Sequence, residues 1–334
     1  MSAPSRGPLC TIAIPVYHRM EKALAFAAVE SALAEQLPEV EVLVVDDHTT
    51  DGTWDRLTQL VDDPRARLLR NERNLGLFQN FNRCLDEARG EYVRILCSDD
   101  MLEPGSLREE LSVMQRYPEM ALLTTRGLRV APDGRVFGLQ AAALPQGYYR
   151  GDRGIAAVLR SNADTGYNSL NYPSGILLRK TAADAAGRFR ADMRMSGDVE
   201  YFLRVLRQGA LGVLQRVGCR ITVHADQMGA RLSLEPVVMQ ELFDLLEEFR
   251  PVLRDHDTEA EVERATAGLS SWLAMRAAVR GNLRSAIAHV EVARRHGAGS
   301  RRMIAGLTSL IARRARWALQ GPFVPNALLP DESL

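Results

Sequence analysis

Two pairs of adjacent aspartates, Asp46-Asp47 and Asp99-Asp100, each close an apolar run: Val42-Leu43-Val44-Val45 before the first, Tyr92-Val93-Arg94-Ile95-Leu96-Cys97 and then Ser98 before the second. Runs of β-branched and apolar residues read as buried strands of a parallel sheet, so both acidic pairs stand at strand mouths. Carboxylates placed there are costly unless something cationic meets them. A divalent metal carrying phosphate oxygens is the usual partner for hard oxygen ligands of this kind. A strand ending in Asp-Asp is equally readable as a helix N-cap with a solvated loop. The flanking sequence has to decide.

The elements that would carry these residues alternate. A short strand, Thr11-Ile12-Ala13-Ile14-Pro15-Val16-Tyr17, leads into a helical stretch from Met20 to Gln36, and the strand ending at Asp46-Asp47 passes through His48-Thr49-Thr50-Asp51-Gly52-Thr53 into a helix from Trp54 to Val61. A strand at Arg67-Leu68-Leu69, the loop from Arg70 to Gly76 and a helix from Leu77 to Glu87 then lead to the Ser98-Asp99-Asp100 strand. Such alternation predicts a doubly wound parallel sheet, with every polar feature at the carboxyl end of its strands.

The order and spacing of these motifs resemble the GT-A glycosyltransferases, specifically the large inverting family 2-like group of bacterial polysaccharide and antigen glycosyltransferases. The resemblance rests on Ile14-Pro15-Val16-Tyr17, Val45 to Thr53, Asn74-Leu75-Gly76 with Asn82, Arg89 to Tyr92, Ser98-Asp99-Asp100, and Gly197 to Arg204, spanning roughly residues 10 to 230. Two positions depart from it. His18 stands where the family usually has Asn, and His48 where it usually has Gly or Asn. Both lie beside the expected nucleotide pocket, where base or sugar preference is set.

The resemblance implies an α/β GT-A fold with a mixed, doubly wound sheet, and a reaction that moves a sugar from a nucleotide-diphosphate donor to an acceptor hydroxyl with inversion. On that basis Asp47 accepts the imide N–H of uracil or thymine, which favours a UDP- or dTDP-sugar, while Tyr17 stacks on the base and Pro15 shapes the turn. Asn74 and Gly76 approach the nucleotide, Gly76 by permitting positive φ, though the pair also reads as a helix cap. Asp99 faces the ribose and shares the metal, Asp100 is the direct Mn²⁺ or Mg²⁺ ligand, and His224 is a further ligand or a structural histidine. Ser174 and Gly175 belong to a segment that contacts the transferred sugar. Asp198, ahead of the amphipathic stretch Val199 to Gln208, is the candidate general base, a role compatible with capping that helix.

Composition excludes more than it assigns. A formal charge of zero argues against a nucleic-acid-binding protein. Cys10, Cys84, Cys97 and Cys219 lack the close spacing of metal or redox pairs and read as reduced thiols in apolar surroundings. No segment reads as a signal peptide or membrane span, so the expected location is cytoplasmic. The chain divides into a GT-A domain over 10–232, a C-terminal helical region over 233–320 and a disordered tail over 321–334. Within the helical region, Ala274 to Ala293 resembles one tetratricopeptide-like hairpin turning at Gly281-Asn282.

Arg294, Arg295, Arg301, Arg302, Arg313, Arg314 and Arg316 occur with no acid between Glu291 and Asp331, beside an apolar stripe of Met303, Ile304, Leu307, Leu310, Ile311 and Trp317. Either the stripe packs on the preceding helices, or residues 300–320 touch the inner membrane face, as would suit a lipid-linked saccharide acceptor. Two other classes of function stay open. A nucleotidyltransferase would need a Gly-rich phosphate loop where this chain has Pro15-Val16-Tyr17-His18. A non-catalytic nucleotide-sugar-binding or scaffold protein would have no need of Asp47, Asp99, Asp100 and Asp198 together.

Overall fold

The computed structural model describes residues 7–18, 24–140, 144–165, 168–224, 227, 235–320 and 334, with side chains of the last helix described to residue 312. Four parallel strands open the chain: β1 (Cys10–Val16), β2 (Val40–Asp46), β3 (Ala66–Arg70) and β4 (Tyr92–Ile95). They are linked by α1 (Leu24–Ala34), α2 (Thr53–Leu60) and α3 (Leu77–Glu87). Their spatial order is β3-β2-β1-β4. The chain thus steps away from β1 on one side and then returns to its other side, leaving a crevice at the carboxyl ends of β1 and β4. Every residue of β1 and β2 is buried, which is why both read as continuous apolar runs.

Past β4 the sheet becomes mixed. The next elements are β5 (Met101–Leu102), α4 (Ser106–Arg116), β6 (Met120–Val130), β7 (Val136–Gln140), β8 (Gly147–Tyr149) and α5 (Gly151–Thr165). They are followed by β9 (Ile176–Arg179), α6 (Lys180–Ala185), α7 (Gly197–Leu206) and β10 (Ala210–Thr222). β9 inserts antiparallel between β4 and β6, and β10 runs parallel to β6. Only the first four strands are therefore the parallel sheet expected from alternation. The stretch Gly138 to Asp164 is largely α5, whose Ile155, Val158, Leu159 and Ala163 are core residues.

A charge sits inside this core. Arg94, in the middle of β4, is fully buried and pairs with the buried Glu110 of α4. Burial pushes the Glu110 carboxyl up to about 7, against the pull of Arg94. Desolvating two ions is only offset when both stay in place.

From residue 235 the described residues form five helices: α8 (Val237–Glu248), α9 (Arg250–Asp255), α10 (Glu259–Val279), α11 (Leu283–Arg295) and α12 (Ser300–Gln320). They share one apolar cluster with the sheet, running from Phe78 and Val93 through Phe202 to Phe243, Leu273 and Leu310. The α10–α11 hairpin turns at Gly281, at φ 77°, and Asn282 caps α11 by accepting the Ser285 N–H at 3.0 Å. α12 crosses α10 at a pair of glycines, where a Cβ on Gly268 would come within 2.3 Å of the Gly306 carbonyl carbon. Arg313, Arg314, Arg316 and Trp317 have no described side chains, and the expected tail lies outside the described residues except for Leu334. None of the described helices is long and apolar enough to cross a membrane.

Candidate active site

The strand ends meet in a cleft of about 890 Å³. Pro15, Tyr17, Asp47, Asn74, Gly76, Asp99, Asp100 and Asp198 all line it. Ser174, Gly175 and His224 stand behind its wall, where Tyr172 and Pro173 form the surface.

At the end of β2 the acidic pair divides its work. Asp46 is fully buried, accepts the Thr49 N–H and pairs with Arg70 at 3.1 Å; burial raises its pKa. Asp47 fastens the next loop. Its Oδ1 accepts from Asn71 Nδ2 (2.9 Å) and Leu75 N (2.8 Å), and its Oδ2 accepts from Gly76 N (2.9 Å). Gly76 holds φ 85° at the start of α3. Three N–H groups on a carboxylate with about four lone-pair sites leave one acceptor position on Oδ2.

His18 and His48, the two departures from the family pattern, both adopt left-handed backbone at φ 46° and 60°. That conformation suits Gly and Asn, which accounts for their usual presence there. Here each imidazole finds a local bond. His18 Nε2 lies 3.3 Å from Thr50 Oγ1, His48 Nδ1 lies 3.2 Å from the Asn71 carbonyl, and the His18 ring stacks on Tyr17 at 4.0 Å.

Beyond β4, Asp100 is nearly buried. Its Oδ2 accepts from Ser174 Oγ at 2.6 Å and its Oδ1 from Thr222 N at 3.0 Å, so β10 and the turn before β9 set its orientation. Ser174 thus reaches the site through Asp100 rather than by lining the cleft, and Gly175 is needed because a Cβ there would strike Asn171. Asp99 Oδ2 lies 3.0 Å from His224 Nε2. Ligand atoms of Cys97, Asp99 and Asp100 fall within 4.8 Å of one another. Burial pushes the Cys97 thiol well above its usual range, which keeps it protonated and a poor ligand. The oxygens of Asp99 and Asp100, with His224 adjoining, are the set that fits a hard divalent cation.

Asp198 occupies the first turn of α7, where its Oδ1 accepts the Val199 N–H at 2.8 Å. Burial raises its pKa to about 6, and the charge of Glu241 adds to the rise. Gly197 has no room for a side chain, since a Cβ would meet the Phe78 ring at 2.7 Å. Phe78 in turn stacks on Phe189, and Asn82 exchanges two hydrogen bonds with the Phe189 backbone, so α3 holds the approach to α7. Glu200 faces away and pairs with Arg204 at 2.6 Å.

Sequence reasoning missed Arg129, which lines the cleft, and Glu241, whose carboxylate accepts backbone N–H groups of the loop before α7. The local sequence of α8 gives no sign of the latter, because its partners are main-chain groups.

Residues 11–167 match the family model described as Glycosyl transferase family 2. The succinoglycan biosynthesis protein ExoO of Rhizobium meliloti is 43% identical over 81 residues, 24% of this chain and 23% of that protein. The chain spans 64% or less of the length of the first curated relatives it matches. Among solved structures, Staphylococcus aureus TarS 1–349 in complex with UDP-GlcNAc aligns with a TM-score of 0.62 at 16% identity, covering 92% of each chain. The mannosyltransferase PcManGT of Pyrobaculum calidifontis, in complex with GDP-Man and Mn²⁺, aligns at 0.54 and 17% identity over 95% of this chain and 88% of that one. Motifs, fold and family model agree: over residues 11–167 the chain is similar to glycosyl transferase family 2, and its fold is GT-A.

Proposed function

We propose that this chain transfers a glycosyl group, with inversion, from a UDP- or dTDP-sugar to an acceptor hydroxyl in the synthesis of a cell-surface polysaccharide or glycoconjugate. The observation that carries this reading is Asp198: a carboxylate held near pKa 6 by burial, in the same cleft as Asp99 and Asp100. A base of that strength is ionised at neutral pH yet strong enough to take a hydroxyl proton as the oxygen attacks the anomeric carbon. The remaining acceptor position on Asp47 supports a base with an imide N–H, and the exposed Tyr17 face is free to stack on it. Asp99, Asp100 and His224 would hold a Mg²⁺ or Mn²⁺ ion, which when bound supplies positive charge to a departing nucleoside diphosphate.

Incubation with a panel of nucleotide sugars, with and without Mn²⁺, tests this. The expected result is metal-dependent release of UDP or dTDP, with an anomeric proton of inverted configuration in the product. Release from no donor would leave the non-catalytic binding reading in its place.

A second surface favours a membrane-linked acceptor and a location at the cytoplasmic face. At the tip of the α10–α11 hairpin, Met275, Val279, Leu283 and Ile287 are exposed, Val279 to 84%, and Arg276, Arg280 and Arg284 flank them. Residues 264–330 hold eleven arginines and one acid, Glu291. An apolar tip ringed by arginine repels a second copy of itself and complements anionic lipid, where each basic residue near the surface contributes about 1 kcal/mol. In this reading residues 10–232 do the chemistry and 233–320 carry the contact with the membrane. Co-sedimentation with anionic vesicles should be strong at low salt, weak at high salt and lost in Val279→Asp/Leu283→Asp; equal binding by parent and variant would remove the tip from the proposal.

A further inference from the structure

Glu241 belongs to α8, in the helical region, yet its contacts are with the catalytic part of the chain. It is 7% exposed, and its carboxylate accepts three consecutive backbone N–H groups: Arg194 at 2.5 Å, Met195 at 3.0 Å and Ser196 at 2.6 Å. Those residues are the turn that delivers the chain into α7, and Asp198 follows two residues after Ser196. The N-cap residue Ser196 makes no side-chain capping bond to α7. The N–H groups ahead of a helix need acceptors when they are buried, and an ionised carboxylate is the strongest the protein can offer. α7 therefore begins where α8 places it.

We propose that Glu241 is a positioning residue for the transfer reaction: by gripping the 194–196 turn it fixes the start of α7 and with it the Asp198 carboxylate, so that the helical region sets the geometry of the base. The inference rests on the reading of Asp198 as that base. Two features of the surroundings agree with it. The other wall of the turn is closely packed, since even a Cβ on Gly197 would lie 2.7 Å from the Phe78 ring. The charge of Glu241 also acts on Asp198 directly, opposing its ionisation. Tyr172 and Cys97, which also interact with Asp198, are both raised by burial and stay neutral through the working range.

The test compares Glu241→Gln and Glu241→Ala with the parent, in the full chain. Glutamine keeps the shape and one acceptor oxygen, whereas alanine keeps neither. The expected result is graded: kcat about 10-fold lower in Glu241→Gln and about 100-fold lower in Glu241→Ala, in the range of a misplaced catalytic group. Donor KM should change less than kcat in both, since Arg194 and Met195 are the only cleft-lining residues bonded to Glu241 and the ends of β1, β2 and β4 are not. The acid limb of the kcat profile should move to lower pH in Glu241→Gln, because removing a negative charge makes Asp198 easier to ionise. Amide exchange at residues 194–196 should speed up in both variants. A kcat within two-fold of the parent in Glu241→Ala, or a loss of kcat matched by an equal loss of donor binding, would overturn the inference. A parent that turns over no donor overturns the proposed function instead; amide exchange at 194–196 as fast in the parent as in Glu241→Ala overturns the grip itself.

Discussion

Asp198 holds a position that costs the fold something. A carboxyl whose folded pKa is about 6, against an unfolded value near 3.9, is destabilising once ionised: there is no cost below the unfolded value, and the full cost is present above about pH 6. The shift corresponds to a cost on the order of 3 kcal/mol at neutral pH. Asp198→Asn should therefore lower transfer by roughly 10² to 10⁴ while raising the melting temperature at pH 8 and leaving it unchanged near pH 4. Equal melting shifts at both pH values would mean the carboxylate is not held in a desolvated site. In the parent, the same titration predicts that transfer falls as the pH drops through about 6, as the base becomes protonated. Asp100 calls for a gentler change than alanine, because its oxygens also hold Ser174 and Thr222, and a buried donor left without its acceptor costs about 1–3 kcal/mol. Asp100→Asn keeps an acceptor and removes the charge; Mn²⁺-dependent donor binding should disappear with thermal stability nearly intact, and retention of that binding would move the metal site elsewhere.

Single elements show what could be read from the chain and what could not. β1, β2 and β4 were legible because burial on both faces leaves a local signature, an apolar run with an abrupt acidic end, and the topology then brings those ends together. Gly76 and Gly197 were legible as motif positions, although the reason for Gly197, the Phe78 ring against it, is a contact across the fold. The antiparallel insertion of β9 between β4 and β6 depends on pairing that no local pattern records. Arg94 is the one charged residue of the β4 strand. Its meaning lies in Glu110, on the helix of the next unit, and that pairing gives a prediction: Arg94→Ala, which strands a buried carboxylate, should cost about 3–5 kcal/mol in urea unfolding, whereas Arg94→Met with Glu110→Leu should recover most of it. Additive losses in the double variant would count against a coupled pair.

At the scale of the whole molecule, the helical region and the sheet are one packed body in their apolar contacts, yet they differ in charge. The chain is formally neutral, while residues 264–330 carry eleven arginines and a single acid, so the compensating negative excess lies mostly in the part that precedes them. A pI near 7 conceals this polarity. The consequence is a chain whose positive excess is gathered in one stretch, which at low ionic strength should be retained by a cation exchanger at pH 7 despite its zero net charge and should associate with the acidic part of a second copy. Screening over the roughly 10 Å Debye length of 0.1 M salt should disperse such chains, and light scattering across a salt titration would register the change. In the proposed membrane reading the same asymmetry would act as a compass: the arginine-rich stretch would turn towards a negatively charged bilayer before any contact is made, and the orientation in which the molecule meets an acceptor would already be chosen in solution.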